Sequence, residues 1–136
     1  MSDVAQSVAF FDSTFEQAVA LTREARDYVA YQKRADLAEL TSVGRLSASS
    51  ESMRVTARLT HIVAWLMVQK AVHAGEMTRE EATDPQYRLG GQAVCRHNKP
   101  VADAPLPRRL VDLRDRSDQL YERVVRLDAM IDQKPG

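Results

Sequence analysis

The stretch RVTARLTHIVAWLMVQKAVHAG, Arg54 to Gly75, constrains the fold more than any other part of the chain. Its longest uninterrupted apolar run, Ile62 to Val68, is seven residues, whereas a helix that crosses a bilayer needs about 20. Arg54, Arg58, His61, Gln69 and Lys70 would all lie inside such a span, and each charge there costs about 2.5–3.5 kcal/mol on insertion scales. No membrane partner is expected, and the stretch reads instead as the central rod of a helical bundle. Two stripes run along it. Val55, Leu59, Ile62, Val63 and Leu66 form a core face; Arg54, Arg58, His61, Trp65, Val68 and Val72 form a second that starts polar and ends apolar. A helix that is apolar on more than one face is buried on more than one face, so the second stripe is expected to meet another helix or a second subunit. Ser49 or Ser50 suits the N-cap and Gly75 the left-handed C′ position, which bounds this helix at about 50–74.

The flanking segments supply two partners. Val8, Phe11, Phe15, Ala18, Val19, Thr22, Ala25 and Val29 recur at steps of three and four, one face of a first helix over about 5–31. Phe10, Phe11 and Phe15 are expected to cover one end of the core. Gly44 and the serines at 47–52 break the period and read as a loop, with Leu37, Leu40, Val43 and Leu46 adding a helical turn or two packed under the end of the bundle. Thr78 and Glu81 in TREE make a capping box. Residues of about 84–105, punctuated by Gly90-Gly91 and Pro85, Pro100 and Pro105, read as a long loop. Connections of that length are often functional. Leu106, Leu110, Leu113, Ser117, Leu120, Val124, Leu127 and Ile131 then form a heptad seam with one polar interruption, a third helix over about 106–131. The fold class expected is all-α: a single domain over 1–136, an antiparallel up-down-up three-helix bundle, dimerising to hide its extra stripe.

Composition excludes several functions. Lys plus Arg equals Asp plus Glu at 19 each, so the basic excess of a dedicated nucleic-acid binder is missing. Cys95 has no partner for an internal disulfide, and the N-terminus MSDVAQSVAFFDS lacks the basic and long apolar regions of a signal peptide; a reducing cytoplasm is expected. Cys95-Arg96-His97 lacks the paired spacing of a zinc site. RLGGQ lacks the lysine of a phosphate loop. No nucleophile elbow accompanies the Ser, His and Asp residues, and Glu80-Glu81 is a capping device before it is a catalytic pair. Arg108 and Arg109 sit in the first turn of a helix, where a cation opposes the dipole, and mark either a binding patch or nothing. No catalytic residue, cofactor or metal ligand is assigned, and the residues by themselves describe a helical interaction module rather than an enzyme.

Three stretches add a resemblance. SESMRVTARLTHIVAWLMVQKAVHAGEMT at 50–78, FDSTFEQAVALTREARDYVAY at 11–31 and LPRRLVDLRDRSDQLYERVVRLDAM at 106–130 resemble, in order, the central, first and third helices of the regulator of CtrA degradation family. The most specific piece is R-x-T-x-R-L-T followed by A-W-L-x-x-Q-x-A-V. The resemblance implies a homodimeric three-helix bundle without catalytic residues or cofactor. It also implies a role as an adaptor in regulated proteolysis, in the cytoplasm and at a cell pole. The partners implied are the ClpXP protease, a response regulator that primes it, and substrate transcription factors of the cell cycle or a further adaptor. One departure stands out: the family extends a flexible tail past the third helix, whereas this chain ends five residues after Ile131 with DQKPG, which sets tail-dependent contacts apart from the expectation. A tether needs two faces that bind at once. The faces expected are the stripe of Arg54, Arg58, His61 and Trp65 and the loop bearing Tyr87, Arg88 and Leu89, since Trp, Tyr and Arg most often anchor interfaces. Tyr87→Ala with Arg88→Ala is expected to weaken capture while costing no more than about 1 kcal/mol of stability. The alternative for Trp65 is packing within the bundle or dimer core. The alternatives for the chain are a signalling scaffold or toxin–antitoxin component with another partner, a DNA-binding regulator, which would need a basic recognition helix, and an enzyme using Cys95 and a histidine.

Overall fold

The computed structural model describes residues 2–95 and 104–131, and among them every regular element is helical. Helix α1, Ser2–Asp27, passes through a π turn, Tyr28–Gln32, into a short α2, Lys33–Ala38. The π turn seats the buried Tyr28 ring, whose hydroxyl donates to Asp36 at 2.9 Å. Helix α3 covers Ser42–His73, two single 3₁₀ turns follow at Glu81–Thr83 and Pro85–Tyr87, α4 is Gln92–Cys95, and α5 is Arg108–Met130.

The middle helix begins eight residues earlier than Ser50: Gly44 and the serines belong to α3 and not to a loop. Thr41 is the N-cap, and its hydroxyl accepts from the Gly44 amide at 3.1 Å. The small residues are there for close packing, because Gly44, Ser47, Ala48 and Ser52 are all buried. A Cβ on Gly44 would stand 3.3 Å from the Leu40 Cβ. Helix propensity is a weak preference that such contacts override. At the other end Gly75 takes φ +78, with Glu76 N–H donating to the Ala71 carbonyl and Gly75 N–H to that of Val72, a Schellman cap. The capping box also forms, Glu81 N–H donating to Thr78 Oγ1 and Thr78 N–H to Glu81 Oε1.

The helix directions depart from the expected antiparallel bundle. Lys70 of α3 pairs with Asp12 of α1, and the Phe11 and His73 rings lie 5.2 Å apart, so α1 and α3 are antiparallel. Glu24 meets Arg109 and Arg116, and Gln17 meets Arg123, so α1 and α5 are antiparallel too. Arg58 meets Ser117, however, and Trp65 meets Asp128, so numbers rise together along α3 and α5 and these helices run parallel. The order is up-down-down. Two consecutive parallel helices need a connection that returns along the length of the bundle, and among the described residues those at 81–95 run back from the level of Asp128 to that of Ser117. The length of that connection has a topological cause before it has any functional one.

The core forms where the three long helices meet, around Leu21, Ile62, Leu66, Leu113 and Val124. The expected seam of α5 is buried from Leu110 to Val124, with Leu106, Leu127 and Ile131 packed at its ends. Phe11, Phe15, Leu37 and Leu40 pack against the core as expected, whereas Phe10 is exposed, and so are Val43 and Leu46, which α3 turns outward. Arg109 and Arg116 converge on Glu24 at 2.7 and 2.6 Å and share Asp112. The arginine in the first turn of α5 is thus committed to an inter-helix network that outweighs its unfavourable position in the helix dipole. These bonds, that from Arg116 first, hold the Glu24 carboxyl down at about 2. No helix among the described residues is long and apolar enough to cross a membrane.

Candidate functional site

The returning segment, residues 81–95, is clasped between α3 and α5 by polar groups, and most of the singled-out residues make that clasp. Asp128, buried near the end of α5, is its lower anchor. One oxygen, Oδ1, accepts from Trp65 Nε1 at 2.8 Å, Arg88 Nε at 2.9 Å and the Leu89 amide at 3.2 Å. Arg88 Nη2 donates to the Asp128 backbone carbonyl at 2.7 Å. A carboxylate with three donors on one side chain is the way a buried charge becomes tolerable.

One level up, the backbone at Gly90 and Gly91 crosses His61. A Cβ at Gly90 would stand 3.1 Å from the His61 ring and one at Gly91 2.7 Å from it, and Gly91 has φ +75. The glycine pair therefore provides close approach as well as a turn. Tyr121 donates to the Gly90 carbonyl at 2.7 Å.

Arg58 makes the upper anchor. It is 0% exposed. Its Nε donates to the Cys95 carbonyl at 3.0 Å, its Nη1 to Ser117 Oγ at 3.3 Å, and Glu51 lies at 3.6 Å. Ser117, the polar interruption of the heptad seam, receives Arg58 and donates to the Arg114 carbonyl at 3.0 Å. Cys95 is 1% exposed, and burial pushes its thiol pKa up, against the smaller lowering influences of Tyr121 and Arg58.

The second stripe of the middle helix and the loop are therefore not two separate faces. Arg58, Trp65 and Leu89 are buried inside the chain, His61 lies half-buried under the glycines, Arg54 is half-buried beside Glu51 at 3.5 Å, and Arg88 is turned to Asp128. Tyr87 is half-buried. The alternative for Trp65, packing within the bundle, is the arrangement found. Arg88→Ala would strip a buried carboxylate of its cation, so the paired loop change is no test of capture at constant stability. Sequence reasoning missed Glu51, Tyr121 and Asp128. Tyr121 and Asp128 lie one heptad apart beside the apolar seam, and that repeat is the signal that was there to read.

The charged groups of the clasp face one another, Arg88 on Asp128 and Arg58 on Glu51, and Cys95 is buried with a raised pKa, the reverse of an activated thiol. Among the described residues no group of three His, Cys, Asp or Glu side chains is placed to hold a metal ion. His97 lies outside the described residues.

Comparison with known proteins bears on this all-helical chain directly. A family model described as "Protein of unknown function (DUF1465)" matches residues 2–135. RcdA from Caulobacter crescentus CB15, known from its crystal structure, is similar at 36% sequence identity with a TM-score of 0.74, over 92% of each chain. The chain belongs to this family, that of the regulator of CtrA degradation. A comparison with curated proteins gave no match. The family resemblance carried by the three helical stretches is thereby established, and it extends through the connection that the stretches leave out.

Proposed function

We propose that this member of the regulator of CtrA degradation family is a non-catalytic adaptor in regulated proteolysis. It binds the ClpXP protease once a response regulator has primed it, and tethers cell-cycle transcription factors or a further adaptor. The observation that carries this reading is the 36% identity to RcdA over 92% of both chains. The site chemistry supports it, because Arg58, Arg88 and Asp128 are spent on holding the fold. The chain acts as one domain and as a homodimer, in the cytoplasm and at a cell pole, without cofactor, nucleic acid or membrane.

The clasp changes where partners dock. Because Arg58, Trp65 and Leu89 are buried, the faces that engage protease and substrate lie on the outer surfaces of the helices, and of the earlier candidates the half-buried Arg54, His61, Tyr87 and Arg88 keep some surface to contribute. The test is reconstituted degradation of a family substrate by ClpXP with and without this chain. Acceleration that requires the priming regulator supports the adaptor reading. A signalling scaffold would leave degradation unchanged and fail to bind the primed protease.

A further inference from the structure

Helix α3 buries two charged side chains and exposes several large apolar ones. Two of its charged residues, Glu51 and Arg58, are buried, Arg54 is half-buried, and Arg45 and Lys70 are exposed near its ends, while one exposed face carries no charge. On that face Val43, Leu46, Met53 and Met67 are 56, 61, 71 and 57% exposed. They are joined at alternating steps of three and four by Ser50, Ala57, Thr60 and Ala64, of which Thr60 and Ala64 are exposed and Ser50 and Ala57 half-buried. The solvent face of a helix normally holds its charges. Here an uncharged seam with a 3.5-residue period, the period of a coiled-coil contact, runs roughly 36 Å at 1.5 Å per residue.

The order of side chains along the seam names its occupant. About a two-fold axis near residue 55, an antiparallel copy would set Leu46 against Ala64 and Met53 against Ala57, large on small. It would set Ser50 against Thr60, hydroxyl on hydroxyl, and Val43 against Met67. The Thr60 hydroxyl already donates to the Thr56 carbonyl at 2.8 Å, which leaves its oxygen to accept from serine. A parallel copy in register would stack leucine on leucine and alanine on alanine, crowding some layers and leaving others hollow. Antiparallel pairing also opposes the two helix dipoles favourably. Arg54 flanks the axis, its charge offset by Glu51 at 3.5 Å. A helix pair of this length with its flanks buries on the order of 1,200 Å², enough for a specific interface.

We infer that the Val43–Met67 seam of α3 is the surface through which two copies of this chain pair, antiparallel and isologous. The inference rests on the proposed homodimer and specifies its surface and register. The full chain and the variants Leu46→Glu and Met53→Glu are compared by sedimentation velocity, with far-UV circular dichroism to verify the helices. The natural chain is expected to sediment as a dimer at micromolar concentration. Either glutamate is expected to raise the dissociation constant at least 100-fold with helicity unchanged. Copper-phenanthroline oxidation of a Met53→Cys, Ala57→Cys double variant is expected to give a covalent dimer, and Val43→Cys, held far from its counterpart, is not. A natural chain that stays monomeric overturns the inference and the homodimer together. A dimer indifferent to both glutamates overturns the seam and leaves the homodimer standing. Efficient cross-linking through Val43→Cys overturns the antiparallel register. The adaptor reading stands or falls separately, on the degradation assay.

Discussion

Removing the carboxylate of Asp128 should free the returning segment without unfolding the bundle. In Asp128→Ala, Trp65 Nε1 and the Leu89 amide lose their acceptor in buried surroundings, and Arg88 loses its ion pair. Each buried donor left unsatisfied costs about 1–3 kcal/mol. Arg88 retains some solvent contact, its side chain being 22% exposed, and adds less than a fully buried cation would. The sum, about 3–5 kcal/mol, matches the loss expected when one partner of a buried pair is removed. The core of α1, α3 and α5 does not depend on this carboxylate, so release of residues 81–95 relieves the penalty at lower cost than global unfolding. Cys95 reports the release, being 1% exposed at the far end of the segment. The assay is alkylation of Cys95 under native conditions, with urea unfolding in parallel. Natural protein should react slowly, and Asp128→Ala should react at least 100-fold faster while retaining its helical signal. Unchanged alkylation together with a stability loss below about 1 kcal/mol would refute the clasp.

Two further perturbations test the polar framework. Arg58→Met should destabilise by about 3 kcal/mol, because among the described residues it leaves the buried Glu51 with only the half-buried Arg54 at 3.5 Å, and adding Glu51→Gln should restore much of the loss; the double-mutant cycle in urea reads the coupling directly. The Glu24 network gives a pH dependence. Its carboxyl sits at about 2 in the folded chain against an ordinary 4.5, so its stabilising contribution is complete above about pH 4.5 and disappears as pH falls towards 2. Glu24→Gln should therefore cost about 1 kcal/mol at pH 7, modest because the partners are partly solvated, and nothing near pH 2. Melting curves of both proteins at the two pH values check the convergence.

Much of the architecture was legible because it rests on periodicity. The α5 seam, the core stripe of α3, the capping box and Gly75 all follow local rules that act within a few residues. Two features were not. The serine-rich start of α3 has the composition of a loop, and only its burial against neighbouring helices makes it helical. The direction of α5 relative to α3 is a property of the connection, and a connection of that length permits either direction. The site illustrates the same limit. Arg58, His61 and Trp65 stood out on one stripe, and Arg88 and Leu89 stood out in the connection, but their mutual contact depends on the parallel return. Without that topology they read as two faces open to partners; with it they close on each other. The exposed seam of α3 escaped notice for a related reason, since Met53, Ala57 and Ala64 look like core residues until the true core face of the helix is known.

The adaptor reading is tested most directly by titrating this chain into a fixed mixture of ClpXP, its priming regulator and substrate, and measuring the initial rate of degradation. A tether must hold protease and substrate on one molecule, so the rate should rise, pass through a maximum, and fall when excess adaptor binds each partner separately. A rate that climbs to a plateau without falling would indicate activation of the protease itself, and a flat line at all concentrations would contradict the adaptor reading outright.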